Sequence, residues 1–128
     1  MQEIDPRTVV EAYLQAFEAR DLPRCLDFYD EDATLTFGPG GVFRGQKSIE
    51  QWHKDRFAAD FRLLSLEEIE VNGDTVTIRG VATSRKLKAF KINTLGGKGT
   101  FLIQAGKIKK AQLEGRVGAS THIEWRRM

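Results

Sequence analysis

Residues 9–45 read VVEAYLQAFEARDLPRCLDFYDEDATLTFGPGGVFRG. Five apolar residues near the start recur at i, i+3, i+4, i+7 and i+8, the spacing of one helical face: Val9, Ala12, Tyr13, Ala16 and Phe17. Asp21 is a capping residue type in front of a second apolar helical repeat. Apolar and threonine side chains then alternate over residues 33–37, which is strand periodicity. The stretch therefore predicts a helix, a shorter helix and a strand.

Turn signals divide the rest of the chain. Asp5-Pro6 is a strong helix start, and Asn72-Gly73 is a strong hairpin signal. The predicted helices cover residues 6–19, 22–29 and a third segment that begins at Gln46 or Ser48. The predicted strands cover residues 33–37, 42–44, 61–71, 75–86, 90–104 and 107–115, with bulges or bends at Gly96, Gly97 and Gly99. Helices followed by long antiparallel strands predict an α+β fold with the helices on one face of the sheet.

The composition is that of an ordinary soluble globular chain. Its 128 residues predict a single domain, 1–128, with 116–128 as a C-terminal tail. No apolar run approaches the roughly 18 residues that a membrane span needs, and the acidic N-terminus lacks a signal-peptide core. The single cysteine, Cys25, lies on the apolar face of the second helix and is interpreted as a buried hydrophobe. We expect a cytoplasmic protein.

Charge is distributed unevenly along the chain. Residues 1–74 carry 8 basic and 16 acidic side chains, whereas residues 75–128 carry 12 basic and 2 acidic ones. The basic half is interpreted first as a solvated sheet face whose lysines discourage edge pairing. It could also form a site for an anion. Nucleic acid is the least favoured partner, because the basic residues are not interleaved with aromatic ones and no groove-binding motif is present.

The runs AYLQAFEARDL, DFYDEDATLTF and FRGQKSIEQW resemble the opening of the nuclear transport factor two-like superfamily. That group includes ketosteroid isomerases, limonene epoxide hydrolases, scytalone dehydratases and SnoaL-like polyketide cyclases. The resemblance covers about residues 5–115. It implies a cone-shaped, cystatin-like fold in which a strongly curved sheet wraps the first helix and admits a small ligand at its open end. It also implies a homodimer formed through the outer face of the sheet, and no cofactor.

Compared with ketosteroid isomerases, the chain keeps one of three functional groups. Tyr13 matches the tyrosine of their oxyanion hole, which works with a carboxylate base and a protonated acid. The base lies eight residues after the tyrosine that corresponds to Tyr29, where this chain has Phe37. The second acid falls at Leu95 or Gly96, and neither can move a proton. The isomerase mechanism is therefore not expected.

Other polar side chains of the sequence could replace the missing base and acid. His53 is a candidate base beside Trp52, although its position off the main apolar stripe favours exposure over catalysis. The family resemblance implies that Ala111 and Leu113 face the cavity, so strand alternation points Glu114 away from it. Asp30–Asp32 is interpreted as a solvated turn, and the two histidines with the cysteine form no credible zinc set. The candidate catalytic residues are Tyr13 and His53, with no metal site.

Seven side chains are predicted to contact a ligand: Phe17, Phe37, Trp52, Phe57, Arg79, Phe101 and Leu113. Six of them would form an apolar wall suited to a small hydrophobic molecule. Arg79 and Arg85 are predicted to share one face of the strand over residues 75–86. If that face is concave, they would favour an amphiphilic anion such as a carboxylate; if not, they face solvent.

Two functions remain open. The first is a small-molecule-binding or accessory domain with an apolar pocket and no chemistry. The second is a cofactor-free isomerase, dehydratase or cyclase that acts on a small hydrophobic substrate. A buried ionisable group in the pocket with a polar partner would distinguish the enzyme from the binding domain.

Overall fold

A computed structural model describes residues 5–38, 41–89 and 94–117. Its helices are α1 (Pro6–Glu18), α2 (Leu22–Asp27), α3 (Gly45–Ala58) and α4 (Arg85–Ala89). Its strands are β1 (Tyr29–Phe37), β2 (Gly41–Arg44), β3 (Arg62–Asn72), β4 (Thr75–Thr83), β5 (Leu95–Gln104) and β6 (Lys107–Val117). Within these ranges, no helix combines the length and the apolar character needed to cross a bilayer. The predicted tail lies largely outside the described residues.

The strands form one curved sheet in the order β2-β1-β6-β5-β4-β3. The β1–β6 pair is parallel, and the other four pairs are antiparallel. Asn72 pairs with Thr75, so the tight turn predicted at Asn72-Gly73 joins β3 to β4. Gly73 adopts the left-handed backbone with φ 63°, which this turn requires. The α+β architecture with a mainly antiparallel sheet is confirmed.

The first helix supplies the centre of the core. Its apolar face buries Val9, Val10, Tyr13, Ala16 and Phe17, close to the predicted stripe. The helix packs against α2 and against strands β3, β4 and β5. Pro6 occupies its first turn, where a missing N–H costs nothing. At α2, the Asp21 side chain accepts a hydrogen bond from the Arg24 amide at 3.3 Å, so the predicted cap is formed.

The strand predicted to extend to Lys86 ends earlier, at Thr83. The helix α4 follows, and the amide of Lys88 donates to the carbonyl of Ser84. Arg, Lys, Leu and Ala are all good helix formers, so local propensity favours helix once pairing with β3 has ended. Arg79 and Arg85 therefore do not share a strand face, and that prediction was wrong.

The glycines of β5 do not create bulges. The β4–β5 pairing is continuous from Leu95 to Leu102, and the register shift against β6 falls between Leu102 and Ile103. Of the predicted bulges or bends, the bulges were wrong for these positions. Gly97 and Gly99 instead border the concave side of the sheet, as described below. The part of this predicted strand over residues 90–93 lies outside the described ranges.

The outer face of the sheet carries a row of four charged side chains, two basic ones in the middle and an acidic one at each end. Glu68 pairs in register with Arg79, Arg79 with Lys98, and Lys98 with Glu114. The Arg79 guanidinium lies 3.1 Å from the Glu68 carboxylate. The basic character of the second half of the chain is thus balanced on this face by acids from β3 and β6.

The edge strand β3 combines acidic and apolar side chains. Glu67, Glu68 and Glu70 are exposed along it. Leu64 and Leu66 are 55% and 41% exposed on the same strand. Because β3 lies at the end of the sheet, its outer backbone groups have no neighbouring strand in the described part of the fold.

Candidate functional site

A cavity of about 110 Å³ lies on the concave side of the sheet, and we call it the apolar cavity. Six aromatic residues border it: Tyr13, Phe17, Phe37, Trp52, Phe61 and Phe101. Leu14, Leu63, Ile78, Leu95 and Leu113 add aliphatic surface. Such a wall excludes water and suits an apolar ligand with few polar anchors.

Glycines on the sheet create the space. Strand pairing places Gly80, Gly97 and Gly115 side by side, and all three border the cavity. A Cβ at Gly80 would lie 2.4 Å from the carbonyl oxygen of Ser65, so no side chain fits there. A Cβ at Gly97 would have its nearest neighbour at 3.5 Å, the carbonyl oxygen of Glu114. The absence of a side chain at Gly97 therefore leaves open space that a larger residue would fill.

Behind the cavity wall lies a buried hydrogen-bond network. The Tyr13 hydroxyl lies 2.7 Å from Nε2 of His53, and the Tyr29 hydroxyl lies 3.0 Å from that of Tyr13. Nδ1 of His53 lies 2.8 Å from the carbonyl oxygen of Ile49, one helical turn earlier on α3. Tyr13, Tyr29 and His53 are each at most 3% exposed.

The carbonyl of Ile49 fixes the direction of every bond in this network. A carbonyl oxygen can only accept, so Nδ1 of His53 must carry the hydrogen. In neutral imidazole Nε2 is then an acceptor, and the Tyr13 hydroxyl donates to it. Tyr13 has no second hydrogen, so the Tyr29 hydroxyl donates to the Tyr13 oxygen. The hydroxyl hydrogen of Tyr13 is therefore already engaged in a hydrogen bond to His53.

Burial keeps the whole network neutral. Burial lowers the pKa of His53, against the opposing effect of the hydrogen bond to Ile49. Burial also raises the pKa of Tyr13 well above its usual value, and the neighbouring Tyr29 adds to this shift. Burial also raises the pKa of Tyr29, against the opposing effect of its hydrogen bond to Tyr13. The three side chains are therefore hydrogen-bonded to one another in their neutral forms.

The structure brings six of the predicted site residues to the cavity: Tyr13, Phe17, Phe37, Trp52, Phe101 and Leu113. Phe57 is not on its wall. The Phe57 ring packs against Phe17 with centroids 5.2 Å apart, and the Arg20 guanidinium lies 5.3 Å from its centroid. Phe57 thus supports the wall from outside.

His53 is fully buried behind Tyr13, so the expected exposure was wrong. Both ring nitrogens of His53 are hydrogen-bonded, and these bonds allow a polar ring to be buried among Tyr13, Tyr29 and Trp52. His53 does not border the cavity.

Arg79 lies on the outer face, and the concave placement was wrong. On β4 the even-numbered Val76 and Ile78 are buried toward the helices, so the odd-numbered side chains face outward. The Arg79 side chain is 42% exposed and pairs with Glu68. Glu114 borders the cavity but is exposed, and alternation with Leu113 and Gly115 directs its side chain outward.

Two contributors were missed from the sequence. Tyr29 joins the network because β1 begins at that residue, four residues earlier than predicted. Arg56 lies over the rings of Phe37 and Trp52, with its guanidinium carbon 4.8 Å and 5.7 Å from their centroids. The i, i+4 spacing of Trp52 and Arg56 was a signal that the two could meet. Cys25 is fully buried, and burial raises its pKa to about 12, in agreement with its interpretation as a hydrophobe.

The model of the SnoaL-like domain family matches residues 10–111. The chain belongs to this family. No curated protein matches this SnoaL-like chain. Solved structures described as nuclear transport factor two-like or ketosteroid isomerase-like share its fold.

Three solved structures illustrate the range of proteins with this fold. A putative polyketide cyclase from Sinorhizobium meliloti is 20% identical, with a TM-score of 0.74 over 87% of this chain and 100% of its own. SalBIII, an epoxide hydrolase/cyclase-like enzyme with a role in pyran ring formation in the polyether salinomycin, is 15% identical, with a TM-score of 0.76 over 86% and 89%. A nuclear transport factor two-like protein of unknown function from Mesorhizobium loti is 21% identical, with a TM-score of 0.73 over 87% and 90%. At these identities the likeness concerns the fold alone.

Proposed function

We propose that this SnoaL-like chain binds a small apolar molecule in the apolar cavity and performs no proton transfer on it. The observation that carries this proposal is the directed network. Tyr13 borders the cavity, but its hydroxyl already donates to His53 and accepts from Tyr29. A hydroxyl engaged in this way leaves the cavity an apolar receptor.

The cavity volume limits the ligand. An engineered protein cavity of about 150 Å³ holds one benzene molecule. A cavity of about 110 Å³ therefore accommodates a single ring or a short alkyl chain as the buried part of the ligand. Larger molecules would have to leave a portion outside.

Calorimetric titration with benzene and with toluene tests the proposal. We expect binding by the wild-type chain and none by Gly97→Leu, whose side chain would occupy the cavity. Gln112→Leu is the matched control, because it adds the same side chain at an exposed position of β6. If neither probe binds the wild type, or if both variants bind equally well, the cavity is not a ligand site.

The alternative is a cofactor-free isomerase, dehydratase or cyclase for a small hydrophobic substrate. The tyrosine–histidine pair at the cavity wall favours it, and cyclase-type structures share the fold. Catalysis would require a substrate to displace one partner of Tyr13. Hydrogen–deuterium exchange at the α-carbon of a bound cyclic ketone would reveal such proton transfer. Exchange that is abolished in both Tyr13→Phe and His53→Gln would replace the binding proposal with this one.

We also propose a homodimer that forms through the outer face of the sheet. The row from Glu68 to Glu114 places both signs of charge on that face, so two copies can meet without a purely basic contact.

We further propose a cytoplasmic location, because Cys25 is a free thiol and such thiols are typical of reducing compartments.

A further inference from the structure

Arg56 is a partly buried cation without an anionic partner. Among the described residues it forms no ion pair, and its Nε is buried with no hydrogen-bond partner. Its guanidinium lies instead over Phe37 and Trp52, two residues of the cavity wall. Burying a charge in aromatic surroundings is unfavourable unless the charge is paired, and contact with ring faces offsets only part of that loss.

The acids closest in sequence form no ion pair with Arg56, although the charge of the adjacent Asp55 attracts the guanidinium without lying within ion-pair distance. The carboxylate of Asp55 accepts a hydrogen bond from Gln51 at 3.0 Å. The carboxylate of Asp60 lies 3.2 Å from Arg20 and 3.0 Å from Arg62. Neither acid is paired with the guanidinium of Arg56, whose positive charge stays available to a ligand.

A second unpartnered donor lies on the same helical face. Trp52 is 3% exposed, and its indole N–H has no acceptor in the described structure. Trp52 and Arg56 are four residues apart on α3, so their side chains are neighbours. Two buried donors that share one neighbourhood and lack acceptors indicate a place for an acceptor group that the chain itself does not supply.

We propose that the ligand of the apolar cavity carries a carboxylate, which binds to Arg56 beside Trp52 at the edge of the cavity. This inference rests on the proposed function and names its ligand class. The apolar part occupies the cavity, and the carboxylate accepts from the guanidinium, whose planar donors match its two oxygens. Arg56 is partly exposed, which leaves a path for the charged group. A single ring with a one- or two-carbon acid arm fits the volume of the cavity.

Calorimetric titration of the full chain with three probes tests the inference: phenylacetate, its neutral amide and toluene. We expect the wild type to bind phenylacetate about tenfold or more tightly than the amide. Arg56→Gln is expected to lose this preference while keeping its affinity for toluene, and Arg56→Lys to retain part of it. Arg79→Gln is the matched control, because it removes the same charge from the outer face and should leave the preference unchanged.

The outcomes separate the two proposals. If toluene binds but phenylacetate and the amide bind equally, the carboxylate site is wrong and the apolar-ligand proposal stands. If Arg56→Gln and Arg79→Gln reduce the preference equally, the effect is one of net charge and the site is again wrong. If none of the probes binds, both proposals fail. Trp52→Phe keeps an aromatic ring, smaller than the indole, and removes the N–H, so a smaller loss of the preference for phenylacetate is expected from it.

Discussion

The direction of the buried network predicts different costs for two apparently equivalent substitutions. Tyr29→Phe and Tyr13→Phe each remove one buried hydroxyl. Tyr29 is the first donor of the network, so its loss leaves Tyr13 still bonded to His53. Tyr13 is the middle member, so its loss leaves an acceptor on His53 and a donor on Tyr29 without partners.

The magnitudes follow from counting these unpartnered groups. A hydrogen bond removed without leaving an unpartnered donor costs about 0.5–1.5 kcal/mol, which is our expectation for Tyr29→Phe. A buried unsatisfied group costs about 1–3 kcal/mol, so the two that Tyr13→Phe leaves should cost about 2–6 kcal/mol. The double variant has only His53 unsatisfied. It should therefore be more stable than Tyr13→Phe alone, by about 1–3 kcal/mol.

Urea denaturation followed by circular dichroism measures these differences, and equal slopes in all four proteins would show that the unfolded states are comparable. Equal costs for the two single variants would refute the assigned direction. Additive costs in the double variant would do the same, because additivity would mean that the hydroxyls act independently.

Three further predictions concern pH, packing and assembly. Because burial lowers the pKa of His53, this imidazole takes up a proton in the unfolded chain at a higher pH than in the folded chain. Its contribution to the free energy of unfolding is therefore complete above about pH 6.5 and is lost as the pH falls toward the lowered pKa. Urea midpoints should therefore fall between about pH 7.5 and about pH 5 in the wild type and in His122→Gln, but not in His53→Gln. Trp52→Ala should cost about 3–5 kcal/mol by leaving a cavity, and a denaturation difference below about 1 kcal/mol would show that α3 is wrongly placed. Light scattering should find a dimer whose association weakens as salt rises, and a monomer at every ionic strength at micromolar concentration would reject it.

Local periodicity was sufficient to predict α1, α2, α3 and most strands, whereas the short α4 was missed. The apolar face of α1 repeats within one element, so its burial, including that of Tyr13, could be predicted from spacing alone. The fate of His53 could not be predicted in this way. Its burial depends on a hydroxyl 40 residues away and on the carbonyl of Ile49, and neither pairing leaves a trace in the pattern around His53.

Arg79 was wrongly predicted to contact a ligand for a related reason. Alternation states which residues of β4 share a face, but not which face meets the helices. That choice is made by the burial of Val76 and Ile78, and it turned Arg79 outward. From the sequence, Arg56 could be recognised only as a helical neighbour of Trp52. Its lack of an ion pair depends on which side chains the fold places around it, and the sequence pattern does not show this.

The acidic edge strand separates solubility from folding stability. Glu67, Glu68 and Glu70 contribute little to the core, yet they place repelling charges on a strand whose outer backbone groups could pair with another chain. Replacing all three with glutamine should leave the urea midpoint nearly unchanged while exposing Leu64 and Leu66 to strand-to-strand aggregation, visible as thioflavin-positive fibrils. These carboxylates would then serve the cell as a safeguard against fibril growth rather than as part of the ligand site.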